Sequence, residues 1–200
     1  QTLASGGSAA NTIHGLANLG IETGFIGTVG SDDMGKFFES DMSKSTIQPY
    51  LKTIAHLETG IAVSLISPGG ERTFATYLGA AIDMNPDNLD SSAFAAFDYL
   101  HIEGYLVQNH ELVKRACETA KSEGLVISLD MASFTVVDSN KEFLTGIVEE
   151  YVDIVFANEE EAKSFTSMEP EQALEKIAEM CDIAVVKIGE KGSLIKRGDE

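Results

Sequence analysis

The chain has 200 residues, 44% hydrophobic and 23% charged, enough for one sizeable α/β domain or a domain with a small appendage. Fourteen Lys and Arg against 32 Asp and Glu give a net charge of −18, which argues against a nucleic-acid surface, since phosphate backbones are held by clustered cations, but leaves room for a local anion cradle of backbone N–H groups. No apolar run approaches the ~18 residues needed to cross a bilayer, and no signal peptide is expected.

In chain order, Ile13, Leu16, Ala17 and Leu19 have the spacing of an amphipathic helix over 11–19, closed by Gly20. Residues 25–29 predict a short strand between glycines. Ser31-Asp32-Asp33 then caps a helix whose apolar face includes Met34, Phe37, Phe38 and Met42. Two β-type runs, 60–67 and 72–78, flank Pro68-Gly69-Gly70-Glu71. Pro presets φ and Gly permits positive φ, so a hairpin is predicted, standing outside the main sheet as a flap.

From residue 98 a regular alternation begins. Strands are predicted over 99–103, 125–130, 153–157 and 183–188, with helices over 110–122, 141–149, 159–167 and 171–181. Continuous apolar runs such as Ile154-Val155-Phe156 suit parallel strands covered on both faces. The predicted fold is therefore α/β, a doubly wound and mostly parallel sheet with a small β-hairpin lid. Residues 1–58 are assigned to the α/β part and lid elements, 59–79 to the lid, and 80–200 to the α/β core with part of a nucleotide site.

Ligands of open parallel sheets bind beyond the carboxyl ends of the strands. Those ends offer Glu103, Asp130, Asn158 and Lys187. Polar residues also occur at strand ends simply because chains turn there. Ser5-Gly6-Gly7-Ser8-Ala9-Ala10-Asn11 leads straight into a helix, so a ligand can approach both backbone and helix N-terminus, and Asn11 adds an amide that donates and accepts. A plain Gly-Ser turn with a capping residue gives the same pattern. Asn158-Glu159-Glu160-Glu161 places an amide at a helix cap and an anion three residues on, which serves either hydrated Mg2+ and phosphate or an ordinary capping box. Lys187 to Gly192 leaves a strand through Gly189 and Gly192, as a nucleotide loop or as a hairpin turn.

Several motifs fail. Gly30 to Lys36 matches GxxxxGK, but Phe37 stands where the Mg2+-binding hydroxyl belongs, so a capped helix start is the better reading. No GxGxxG follows a strand, and no GxSxG elbow occurs. The four histidines, His14, His56, His101 and His110, lack metal spacing and are expected to be solvated or packed. Cys117 and Cys181 read as reduced packing residues of a cytoplasmic protein.

The order of these pieces resembles the ribokinase-like (PfkB) carbohydrate kinase family, and within it the adenosine kinase-like members. Ser5 to Asn11 is similar to the family's first signature, Phe25 to Gly35 to its G-x-v-G-x-D-x-x-G block, and Thr59-Gly60 with Gly70 to Phe74 to its lid strands. Asn158 and Glu161 match its N-x-x-E motif, and Lys187 to Gly192 its ATP-binding strand and loop. The resemblance implies ATP and Mg2+ as cofactors and a sugar or nucleoside as partner. It implies substrate contacts from Gly7, Ser8, Asn11 and Glu103, nucleotide contacts from Asn158, Lys187, Gly189 and Gly192, and a metal role for Glu161. The family's D-T-x-G-A-G-D stretch, which carries the catalytic base, is absent and is expected beyond Glu200; an upstream strand is expected before Gln1. The chain is thus expected to be truncated at both ends and inactive alone. Near Leu106 animal-type adenosine kinases stack the base on an aromatic ring, a part open here only to Tyr105. The implied reaction is ATP-dependent phosphorylation of a hydroxymethyl group. The competing expectations are a non-catalytic sugar- or nucleoside-binding protein of the same fold, and a module that dimerises through the lid.

Overall fold

A computed structural model describes residues 3–70 and 72–198. Glu71 of the expected hairpin turn, Gln1-Thr2 and Asp199-Glu200 lie outside them. The chain divides into two units, Gln1–Ala93 and Phe94–Glu200, each with its own packing.

In the first unit, α1 (Ser8–Asn18) leads into β1 (Thr23–Gly30), α2 (Asp33–Lys44) and β2 (Ile47–Ile54). β1 and β2 pair in parallel from Thr23↔Ile47 to Gly30↔Ile54, so α2 is the crossover of a βαβ unit. Ala10, Met42 and Ile47 are buried together, with Ile13, Ala17, Phe25 and Phe38 packed around them. The Phe25 and Phe38 rings meet at 5.3 Å and 60°. The expected N-cap of α2 is present: the Asp32 carboxylate accepts from Gly35 N at 2.8 Å. β2 had no counterpart among the expected strands. Its third residue, Pro49, has no N–H to donate and argues against a central strand; among the described residues the strand has one neighbour, and Pro is tolerated on such a strand.

β3 (Ile61–Ile66) and β4 (Arg72–Tyr77) form a separate antiparallel pair, the predicted hairpin. Gly70, at φ 84°, makes its turn and donates to Ser67 O at 2.9 Å. Apolar side chains on both strands, Ile61, Val63, Leu65, Ile66, Phe74 and Tyr77, are exposed. At the hairpin base Asp32 also accepts from Thr59 N (2.8 Å) and Thr59 Oγ1 (2.6 Å), while Gly30 N donates to Thr59 Oγ1 at 2.9 Å. The cap of α2 thus doubles as the anchor of the hairpin. Short 3₁₀ turns over 79–83 and 86–88 and one turn of helix, α3 (Ser91–Phe94), follow.

The second unit alternates β5 (Tyr99–Glu103), α4 (His110–Ser122), β6 (Val126–Asp130), α5 (Phe134–Tyr151), β7 (Ile154–Asn158), α6 (Glu159–Thr166), α7 (Pro170–Ala178), β8 (Ile183–Lys187) and β9 (Ser193–Arg197). The sheet order is β5-β6-β7-β8-β9, parallel except for the last strand, which pairs antiparallel with β8. Burial alternates along β7 and β8, while on β5 and β6 Glu103 and Ser128 are buried as well. Ile127, Leu129, Val155, Ala157, Ala184 and Val186 are fully buried on one face, whereas His101, Asp130, Phe156 and Asn158 on the other are half-buried. α5 starts seven residues before the helix expected over 141–149. It is kinked at Asn140 (φ −128°, ψ 21°), whose side chain donates to Val136 O at 2.9 Å, so only its second half reads as helix in the sequence.

Candidate functional site

In the first unit the candidate residues lie where the chain enters α1. Gly7 is the N-cap, at φ 110° and ψ 157°, a conformation that a residue with a Cβ adopts only under strain. Around Gly6 and Gly7 the positions of a Cβ meet nothing within 4 Å, so the backbone is open to approach. Asn11 N donates to Gly7 O at 2.9 Å, the first bond of the helix. Gly7, Ser8 and Asn11 are exposed together on this loop and first turn. Ser5, in contrast, is buried, and its hydroxyl bonds Asp41 and His14.

In the second unit four successive parallel strands end at Glu103, Asp130, Asn158 and Lys187. Register sets Glu103 beside Asp130 and Asn158 beside Lys187. β6 and β7 are staggered so that Asp130 lies opposite Phe156. Lys187 Nζ nevertheless reaches Asp130 Oδ2 at 2.8 Å, tying β8 to β6 across the end of β7. Asp130 Oδ1 also accepts from Ala132 N at 2.8 Å and so holds the turn in which Ala132 adopts φ 64°.

Asn158 and Glu161 form a full capping box. Glu161 N donates to Asn158 Oδ1 (2.9 Å), Asn158 N to Glu161 Oε2 (2.7 Å) and Asn158 Nδ2 to Glu161 Oε1 (2.7 Å). Glu161 is only 3% exposed, and both its oxygens are engaged by one residue. Burial raises its carboxyl above the ordinary range, against the lowering hydrogen bond from the Asn158 amide; the neighbouring Asp130 charge raises it further and Lys187 opposes. Buried and with both oxygens turned to one residue, Glu161 presents little surface for direct ligation of a metal. Its geometry suits orientation of Asn158 and of water around it.

Lys187 to Gly192 is the turn of the β8–β9 hairpin, the plainer of its two readings. Gly189 and Gly192 carry positive φ (58° and 97°), and Ile188 N donates to Gly192 O at 2.8 Å. Both glycines face open space. Glu103 is buried, and its carboxylate lies 3.4 Å from His101 Nε2; His101 Nδ1 is 2.8 Å from Ser128 Oγ. The His101 ring also meets Phe156 edge-on at 6.4 Å. Reading His101 as one scattered histidine missed this group. Its signal was alternation, because His101 and Glu103 are two apart on β5 and Ser128 lies opposite His101. The close approach of β5 to β6 requires Gly104, where a Cβ would lie 2.6 Å from Asp130 O. The two cysteines have no disulfide; burial raises Cys117 to about 12 and Cys181 to about 11, which suits packing rather than nucleophilic chemistry.

Known proteins match this arrangement over its length. A sugar kinase of Archaeoglobus fulgidus, described as uncharacterized, is 26% identical over 92% of this chain and 74% of its own length. A probable sugar kinase from Rhizobium etli CFN 42 superposes with a TM-score of 0.92 at 32% identity, and the adenosine kinase from Sinorhizobium meliloti with 0.91 at 30%. Each of these two structures matches 98% of this chain, which spans 62% of theirs. The sequence pattern of the pfkB carbohydrate kinases extends over residues 1–200, and the chain belongs to that family.

Proposed function

We propose that the whole protein transfers the γ-phosphoryl group of ATP to a hydroxymethyl group of a sugar or nucleoside. The acceptor oxygen forms the new O–P bond while the bridging O–P bond to ADP breaks, and the acceptor's proton passes to a base not assigned among the described residues. Such transfer depends on positioning and charge stabilisation. Gly7, Ser8 and Asn11 hold acceptor hydroxyls, and Glu103 is proposed separately as a substrate-binding carboxylate. Lys187, Gly189, Gly192 and Asn158 face the nucleotide; a phosphate there competes with Asp130 for the Lys187 ammonium, now 2.8 Å away.

The donor set also suits Mg2+. Among the described residues no three His, Cys, Asp or Glu side chains form a metal cluster, but this ion keeps waters and needs one or two carboxylates besides phosphates. Asp130, Asn158 and Glu161 would hold it, Glu161 through water. When bound, Mg2+ offsets charge developing on the transferred group. The observation that carries the proposal is the row of four strand ends, Glu103, Asp130, Asn158 and Lys187, cross-tied by Lys187–Asp130 and Asn158–Glu161.

The test is ADP release by the whole protein with Mg-ATP and a panel of ribose, fructose, adenosine, guanosine and inosine. Release that requires one acceptor supports the reading, and none across the panel overturns it; binding without turnover marks a non-catalytic sugar- or nucleoside-binding protein. Tyr105, 52% exposed just after β5, is our candidate for stacking a nucleobase. Tyr105→Ala should then raise KM for nucleosides and leave that for sugars unchanged. We assign the exposed apolar hairpin to a lid that also pairs with a second copy, tested by the mass of the whole protein in solution.

A further inference from the structure

The glycine loop has little packing of its own, since Gly6, Gly7 and Ser8 are exposed and the space around both glycines is open. What precedes it is different. Ser5 is 9% exposed, and Asp41, in the last turns of α2, takes both its donors: Ser5 N donates to Asp41 Oδ2 at 3.2 Å, and Ser5 Oγ donates to the same oxygen. His14 Nε2 lies 2.8 Å from Ser5 Oγ.

The proton count fixes the roles. A serine hydroxyl has one proton, and here it is committed to Asp41. Ser5 Oγ must then accept from His14, so Nε2 carries the hydrogen and this histidine cannot take a proton from the serine. The order is His–Ser–Asp with serine in the middle. In a nucleophilic triad the histidine lies between the other two, so this cluster does not activate Ser5 for attack. It is a fixture. The Ser5 hydroxyl, and then its amide, hold the Asp41 carboxyl below its ordinary range; the His14 and Lys44 charges add to this.

The fixture grips from two directions. His14 stands on α1 three residues after Asn11, on the same helical face. Asp41 stands on α2 beside Met42, which is buried against Ala10 with Ile13 and Phe38 around them. The loop entry is thereby bonded to both helices, and those helices share one core.

We propose that Asp41 and His14 are positioning residues which, through Ser5, hold the glycine loop in the conformation that presents Gly7, Ser8 and Asn11 to the acceptor. The assignment of the acceptor to this loop rests on the kinase reading; the fixture itself does not. Without it the entry to Gly7 loses three hydrogen bonds, and the loop samples conformations in which Asn11 and the glycine backbone no longer converge.

The experiment compares Ser5→Ala, Asp41→Ala and His14→Gln in the whole protein. Alanine suits the helical position of Asp41, and glutamine keeps a donor within similar reach of Ser5. For the two alanine variants the expected result is a rise of about 10-fold in KM for the acceptor, with KM for ATP within about 2-fold of wild type. Amide exchange across residues 3–12 should accelerate about 10-fold, with exchange in the second unit unchanged. His14→Gln should retain most of the wild-type acceptor KM. Wild-type acceptor KM and loop exchange in both alanine variants would overturn the proposal, as would equal losses in both KM values alongside a lowered melting temperature. If the wild-type protein phosphorylates nothing in the panel, the kinase reading falls. Loop exchange then decides alone, faster exchange supporting the fixture and wild-type exchange refuting it.

Discussion

Glu161→Ala separates a structural role for the N-x-x-E pair from a metal role. The substitution removes the acceptors of Asn158 N and Asn158 Nδ2, each at 2.7 Å, from a site where Glu161 is 3% exposed. A buried donor left without a partner costs about 1–3 kcal/mol. Two such donors, with some water admitted by the shortened side chain, give an expected loss of about 2–4 kcal/mol. For a chain of this size that lowers the melting temperature by roughly 4–16 °C, at about 2–4 °C per kcal/mol. The assay is a thermal melt in EDTA, without nucleotide, followed by repeats with Mg2+ and with Mg-ATP. The structural bonds need no metal, so the loss should be full in EDTA. A variant as stable as wild type in EDTA but weaker in Mg-ATP would refute the reasoning and make Glu161 a ligand first and a capping residue second.

The same carboxyl predicts a pH dependence. Burial raises the Glu161 pKa in the folded state above its ordinary 4.5, so the fold favours the protonated form; that contribution is full below the unfolded pKa and is lost as pH rises through the folded one. The stability advantage of wild type over Glu161→Gln should therefore shrink as pH rises above the ordinary 4.5, and an advantage that grows with rising pH contradicts the assignment. Thr59→Val leaves the buried Gly30 N–H without its 2.9 Å acceptor and should cost about 1–3 kcal/mol in urea unfolding, whereas Thr59→Ser should cost less than about 1. Gly7→Ala forces a side chain to φ 110° and should raise the acceptor KM by about 10-fold or more, read in the ADP assay; an unchanged KM removes Gly7 from the loop's function. With its pKa at about 11, Cys181 should react with a disulfide reagent at pH 8 roughly 100-fold more slowly than an ordinary thiol of pKa 9.0, and Cys117 more slowly still, both at the ordinary rate once unfolded.

How much of this was legible depended on whether a signal was local. The cap at Asp32, the hairpin around Gly70 and the strands ending at Glu103, Asp130, Asn158 and Lys187 depend on residues a few positions apart, and each was readable. β2 was not, because Pro49 argues against a central strand, and its having one neighbour among the described residues emerges only from the pairing of distant segments. The first half of α5 was hidden for a related reason: Asn140 breaks the helical dihedrals, so the apolar period resets there. The site divides along the same line. Asn158 and Glu161 are three residues apart on one helix start, and their pairing follows from helix geometry. Lys187–Asp130 spans 57 positions and Ser5–Asp41 spans 36, so both exist only after the strands and helices that carry them have packed.

The second class matters more for function than its legibility suggests. A strand end supplies a polar residue whether or not a ligand is bound, because the chain must turn there and its backbone groups meet water. Glu103, Asp130, Asn158 and Lys187 taken singly therefore carry little functional information. The contact between Lys187 and Asp130 carries more, since a lysine that only needed solvent would not reach across another strand to a carboxylate already holding a turn. An exposed pair of that kind contributes little to stability, so its value to the fold does not explain its placement. On the proposed kinase reading, this pair beside Asn158 and Glu161 would offer a phosphate and a hydrated dication each a partner to replace at the carboxyl ends of the strands. Lys187→Met should consequently leave the melting temperature within about 2 °C of wild type while raising KM for ATP about 10-fold. A large loss of stability with unchanged KM for ATP would show that the pair serves the sheet and not the nucleotide.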